Sequence, residues 1–151
     1  MENKYDVVIV GAGPAGSVAG FCLSKQGKKV LIIDKENFPK KKLCGGLLTE
    51  KDINFIKKIF GQIDLNDFID SSHKAFGIYH QTLGKIREYD SPDDKLYFVH
   101  REIFDKYLLD QAIFAGCIFK KATIVKSNKN FVITDTDQKF YGDFIIGADG
   151  A

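Results

Sequence analysis

The chain has 151 residues, 44% hydrophobic and 28% charged, which is ordinary globular usage and enough for one domain with a real core. Lysine plus arginine total 22 against 20 acidic residues, a net charge of +2, so the basic stripe of a nucleic-acid binder is missing. Cys22, Cys44 and Cys117 make an odd count without metal-ligand spacing, which points to a reducing, cytoplasmic setting with no disulfide framework and no metal.

Tyr5 to Val10 is a nearly continuous apolar run, the pattern of a strand buried on both faces. A helix is predicted from Pro14 to about Gln26, stopped by Gly27, with Ala15, Ala19 and Cys22 as its small sheet-facing positions. Lys29 to Ile33 reads as a second strand, made parallel to the first by the βαβ crossover. The apolar stretch from Val7 to Leu23 is broken by glycines and Pro14 and falls short of the ~20 residues of a membrane span. It also lacks the charged leader and cleavage site of a signal peptide, while attachment at a membrane surface stays open.

Lys40 to Lys42 is a dense basic cluster and reads as a solvated loop. A helix is expected over Thr49 to Phe60, with Ile53, Phe55, Ile56 and Ile59 as its apolar positions. From Phe76 to Val99, strand-like pieces parted by Gly84 and by Ser91 to Asp94 read as antiparallel strands of a separate layer; Asp93 and Asp94 suit a turn. Glu102 to Ala115 is predicted as an amphipathic helix with Phe104, Leu108, Ala112 and Ala115 on one stripe. The remainder reads as a small meander with turns rich in Asn and Asp, ending in a buried strand from Phe144 to Ala148. His73, His80 and His100 stand apart from any nucleophile or ligand pattern and receive no chemistry.

The stretch "DVVIVGAGPAGSVAGFCLSKQGKKVLIIDKE", Asp6 to Glu36, carries the first functional signal. Gly11 suits a tight turn out of the strand, Gly13 leaves room for a diphosphate against the backbone, and Gly16 lets the helix pack closely. The helix start adds unpaired N–H groups and a partial positive charge. Asp34, eighteen residues after Gly16, closes the second strand where a ribose hydroxyl could donate to it. Strand, glycine turn, helix, strand and acid together predict dinucleotide binding. A carboxylate there repels a 2′-phosphate, which disfavours NADP at this site and leaves FAD and NAD.

Further motifs favour FAD. With the "VGAGPAGS" start, "KLCGGLL" at Lys42 to Leu48, "VHREIFDKYLLDQA" at Val99 to Ala112 and the terminal "IIGADGA" occur in order. In this the chain resembles the geranylgeranyl reductase family, a branch of the FAD-dependent oxidoreductases related to p-hydroxybenzoate hydroxylase. The likeness covers almost the whole chain; the glycine start and the "GADG" end belong to the wider superfamily, and the K-x-C-G-G loop points to the reductases. It implies an α/β fold: a Rossmann-type parallel sheet with a βαβ start and a small antiparallel meander, truncated before the second flavin motif.

By resemblance, Gly11, Gly13, Ala15 and Gly16 would cradle the FAD diphosphate, and Asp34, with Lys35 beside it, would hold the adenosine ribose. Most relatives carry Glu at that position, one methylene longer. Cys44, Gly45 and Gly46 would lie along the cofactor, Arg101 would contact FAD, and the backbone at Ile124 would touch adenine. Asp149 and Gly150 would edge the FAD and reduced-nicotinamide sites. Lys41 and Lys42 beside Cys44 should raise its thiolate fraction; a catalytic or tuning role competes there with simple packing under the cofactor loop, and packing is preferred.

The resemblance further implies an enzyme that passes hydride from reduced flavin to double bonds of an isoprenoid chain, with NADPH or a ferredoxin as electron donor. No protein partner is predicted. Residues 1–151 would form the N-terminal part of the FAD-binding domain, with about 71–100 contributing strands to a substrate-binding layer. The last strand would feed a helix that the 151 residues do not hold, leaving apolar surface uncovered and favouring marginal stability or self-association. Two rivals use the same start: a flavin monooxygenase or halogenase, and a nucleotide-binding module without catalysis.

Overall fold

A computed structural model of the chain describes residues 3–90 and 95–150. The turn read at Asp93 and Asp94 lies outside the described residues. In chain order the elements are β1 (Lys4–Val10), α1 (Pro14–Lys25), β2 (Val30–Asp34), β3 (Leu47–Thr49), α2 (Glu50–Phe60), β4 (Ile69–His73) and β5 (Ala75–His80). There follow β6 (Gly84–Asp90), β7 (Leu96–Val99), α3 (Arg101–Phe114), β8 (Ile118–Lys121), β9 (Ile124–Ser127), β10 (Phe131–Thr134) and β11 (Lys139–Gly147). They divide into two compact units: Met1–Lys40 with Asp105–Ala151, and Lys41–Phe104.

The first unit is built on a sheet whose described strands run in the order β8-β2-β1-β11-β10-β9. β1 lies parallel to both β2 and β11, and β2 lies parallel to β8. β10 is antiparallel to β11 and to β9. The continuous apolar runs of β1 and β2 suit this central place, since strands covered on both faces have no solvent side to make polar. Val8, Leu31, Ile33 and Val132 are fully buried and share a cluster with Tyr5 and Phe140.

Three expectations need correction here. The buried face of α1 is Gly16, Ser17, Gly20 and Phe21, while Ala15 is exposed and Ala19 and Cys22 are half-buried. The helix lies close: a Cβ on Gly16 would stand 1.9 Å from the Gly11 carbonyl oxygen, where nothing can yield, and one on Gly20 would stand 2.6 Å from Ile32 Cδ1, the end of a side chain that would have to turn aside. Glycines, not alanines, therefore face the sheet. Second, β8 is no part of the meander; it pairs with β2 at the opposite edge from β9. Third, the last strand starts at Lys139, and Phe144 is 69% exposed because it lines a crevice rather than the core.

The second unit holds an antiparallel sheet in the order β3-β7-β4 and a β5–β6 hairpin, both separate from the main sheet. α2 begins on a capping box: the Asp52 N–H donates to Thr49 Oγ1 at 3.4 Å, and the Thr49 N–H donates to Asp52 Oδ2 at 2.8 Å. Ile53 and Ile56 are its buried positions. Phe55 is exposed, correcting its place among the apolar positions, because it sits two residues from Ile53 and so on the far side of the helix. α3 starts at Arg101 and buries Phe104, Leu108 and Ala112 as its stripe requires, while Ala115 falls beyond its end. Phe104 packs on Phe68 with ring centroids 5.2 Å apart.

Candidate functional site

At the tip of β1, the Gly11 N–H donates to the Ile33 carbonyl at 2.7 Å, and the chain turns into α1. Gly11 has φ +103°, and a Cβ there would meet the Ala148 carbonyl oxygen at 2.3 Å. Only glycine fits, because β11 ends against this turn: the Ala148 N–H donates to the Val10 carbonyl at 2.7 Å. Gly13 differs. Its φ of −67° is open to any residue, and a Cβ there would meet nothing within 4 Å. It presents bare backbone to open space at the N-cap of α1, with no side-chain cap and no acid in the first turn. The helix N–H groups are thus left for an external anion, and this geometry fits a diphosphate.

Beside the turn lies a crevice of about 1030 Å³. Its walls bring together Gly11, Asp34, Lys35, Ile124, Asp149 and Gly150 from the predicted set. Gly13, Ala15 and Gly16 sit at the adjoining helix start: Gly13 with open space before it, Gly16 buried, and Ala15 exposed. Ile124 opens β9 opposite Thr134. Gly150 has φ +82°, so the last described residue also needs glycine's freedom.

Asp34 is 6% exposed and makes four hydrogen bonds. Its Oδ2 accepts from the Ala12 N–H at 2.8 Å and from Lys40 Nζ at 2.7 Å. Its Oδ1 accepts from the Glu36 N–H at 3.0 Å and from Lys40 Nζ at 2.8 Å. Burial pushes the carboxyl upward, but donation from Lys40 and from the Ala12 and Glu36 N–H groups outweighs it and holds the pKa below the usual value. Lys40, read from sequence as part of a solvated loop, is instead held in the crevice wall, with its ammonium also 4.7 Å from the Phe38 ring centre. The sequence signal existed, a cation six residues after the acid, but the intervening turn that brings it back is not a periodic pattern. Because Lys40 neutralises the charge of Asp34, this carboxylate repels a 2′-phosphate less than the bare acid expected from the sequence.

The second unit carries a hollow of about 630 Å³, lined by Lys41, Lys42, Cys44, Gly45, His100 and Arg101 among others. Cys44 is exposed, which corrects the packing expectation. Its Sγ accepts from the Gly46 N–H at 3.5 Å. That N–H first, then the Arg101 side chain, draws the thiol below its ordinary pKa against a small opposing effect of burial. Lys42 enters last and Lys41 is not among the causes, so the lysines expected to activate this thiol are the minor contributors. Gly46, with φ +68°, abuts β7: a Cβ would lie 2.1 Å from the Val99 carbonyl oxygen, and the Val99 N–H donates to the Gly46 carbonyl at 2.9 Å. Gly45 faces open space. Among the described residues there is no cluster of side chains able to hold a metal ion, and no helix long and apolar enough to cross a membrane.

A parallel βαβ start, an uncapped glycine turn and a carboxylate at the end of β2 define a Rossmann-type α/β domain of the dinucleotide-binding class. Residues 4–151 match the family described as FAD binding domain, and the chain belongs to that family. Digeranylgeranylglycerophospholipid reductase of Methanocaldococcus jannaschii is 30% identical over 158 residues, covering 99% of this chain and 39% of the relative. The crystal structure of a geranylgeranyl bacteriochlorophyll reductase-like protein from Thermoplasma acidophilum has a TM-score of 0.79 at 26% identity, over 98% of this chain and 40% of that one. The myxobacterial chondrochloren halogenase CndH has a TM-score of 0.78 at 20% identity, over 98% and 38% of the two chains, a likeness of fold alone. The chain thus spans about two fifths of the length of these proteins. The expected resemblance holds: the chain is a homologue of geranylgeranyl reductase-like flavoproteins.

Proposed function

We propose that the chain is the cofactor-holding, N-terminal part of an FAD-dependent oxidoreductase that reduces double bonds in the isoprenoid chain of a lipid. The observation that carries this reading is the sequence likeness to a reductase along 99% of the chain, from the glycine turn through the Cys44 loop to β11. FAD, when bound, supplies the hydride-transfer chemistry. The protein's share is to bind and orient. Gly11, Gly13, Ala15 and Gly16 offer backbone to the diphosphate, Asp34 and Lys35 take the adenosine ribose, and the Ile124 backbone meets adenine. Arg101 offers a charge-assisted fork to phosphate oxygens. Cys44, Gly45 and Gly46 run along the cofactor, and Asp149 and Gly150 edge its site. Strands within 71–100 would contribute to a substrate layer. NADPH or a ferredoxin would donate electrons, in the cytoplasm and at a membrane surface where the lipid lies.

A titration of the chain with FAD, followed by quenching of flavin fluorescence, tests the binding claim; saturable quenching is expected. A chain that ignores FAD yet binds NAD would sink it. Alkene saturation by the protein extended to the length of its relatives, assayed without oxygen, tests the reductase claim. The fold shared with CndH supports a second reading, an oxygen-activating monooxygenase or halogenase. Rapid oxygen consumption by reduced flavin in the presence of substrate, with no alkene saturation, would favour that one. Binding of FAD with neither activity would leave a nucleotide-binding module.

A further inference from the structure

The Asp34 carboxylate has no vacancy. An ionised carboxylate offers about four lone-pair sites, and the Ala12 N–H, the Glu36 N–H and the doubly placed Lys40 ammonium take all of them. The two backbone donors belong to the β1–α1 turn and to the end of β2, and neither can leave without unmaking the fold. Lys40 is a side-chain donor on a flexible stem in the crevice wall, its ammonium bonded to the carboxylate and 4.7 Å from the Phe38 ring centre, so it can turn aside without breaking backbone structure. A ribose hydroxyl that donates to Asp34 must therefore take an oxygen from Lys40.

We propose that Lys40 is an internal competitor for the ribose subsite, a specificity-setting residue that holds the acceptor of the adenosine hydroxyls until a nucleotide displaces it. This rests on the dinucleotide reading above. The pair also keeps the charge of a carboxylate buried to 6% exposure compensated. The affinity for adenosine nucleotides becomes the difference between two sets of charge-assisted hydrogen bonds, and the native chain should sense the ribose hydroxyls only weakly.

The test compares ADP, 2′,3′-dideoxy-ADP and FAD by isothermal titration calorimetry at neutral pH, on the native chain and on Lys40→Met, Lys40→Gln and Lys40→Arg. Removing the competitor should tighten ADP and FAD about tenfold, the worth of one charge-assisted hydrogen bond. That gain should vanish for dideoxy-ADP, and Lys40→Arg should behave as native. Should Lys40→Met fail to fold, Lys40→Gln makes the same comparison. Equal or weaker ADP binding by the neutral variants, or a gain that survives loss of the hydroxyls, overturns the proposal while leaving dinucleotide binding intact. If neither ADP nor FAD binds any of the four proteins, the dinucleotide reading itself falls and takes this proposal with it.

Discussion

Two glycines three residues apart should fail in opposite ways when given a side chain. At Gly16 a Cβ would stand 1.9 Å from the Gly11 carbonyl oxygen and 3.3 Å from Ile9 Cγ2. The first contact is with backbone, so no rotamer relieves it, and α1 must retreat from the β1 turn by about 1 Å. Overpacking of this kind costs about 3 kcal/mol, at the upper end of the usual range. For a domain of this size that lowers Tm by about 6–12 °C. At Gly13 the backbone angles suit any residue and the new Cβ meets nothing. Gly13→Val should therefore change stability by no more than about 1 kcal/mol, since the weaker N-cap is partly offset by lost unfolded-state freedom. Its effect belongs to binding, because the side chain fills the space a diphosphate needs. Thermal denaturation paired with FAD titration separates the two. Gly16→Ala should melt early, and Gly13→Val should melt near native but take up little FAD. Native-like melting of Gly16→Ala would refute the packing argument, and native-like FAD affinity of Gly13→Val would refute the backbone approach.

Cys44 should react with iodoacetamide faster than Cys117 at neutral pH, because the Gly46 N–H and Arg101 lower the first thiol while burial raises the second. Arg101→Ala should slow Cys44 severalfold, and an unchanged rate would rule Arg101 out as a cause and leave the Gly46 N–H and Lys42. Asp34 has a folded pKa below its unfolded value, so its contribution is present above about pH 4 and lost as pH falls through the folded pKa. Asp34→Asn should accordingly flatten the acid limb of a stability–pH curve; equal slopes below about pH 4 in both proteins would contradict this. Tyr97 is pushed up to about 12 by burial and by its 2.6 Å hydrogen bond to Glu50. Alkaline titration of phenol absorbance should show a late component near pH 12 that Tyr97→Phe removes, with stability lost as pH rises toward that value.

The order of strands and helices was legible because each element carries its own periodicity or its own punctuation. β1 and β2 announce themselves as unbroken apolar runs, and the helix between them is bracketed by Pro14 and Gly27. What stayed hidden depends on partners distant in sequence. The face of α1 could not be read from hydrophobicity, since Ala15, Gly16, Ala19 and Gly20 are all small; the backbone of Gly11 and the side chain of Ile32 decide which of them turn inward. Phe144 reads as core by type, yet its neighbours in space make it a crevice wall. Lys40 shows the same limit in the site: by sequence it is one cation of a solvated cluster, while in the fold its ammonium is bonded to Asp34.

The tight fit of Gly11 against Ala148 ties the glycine turn to a strand far away in sequence. β1 stands early in the sequence, whereas β11, which runs alongside it and closes the glycine turn, follows only after the whole of the Lys41–Phe104 unit. Without β11 one flank of β1 has no ladder to join, and the glycine turn has nothing to rest on. Closure of the crevice is thereby tied to the pairing of β11 with β1, so a chain cut before Lys139 should be unable to retain a nucleotide, however much of the helix and second strand had formed.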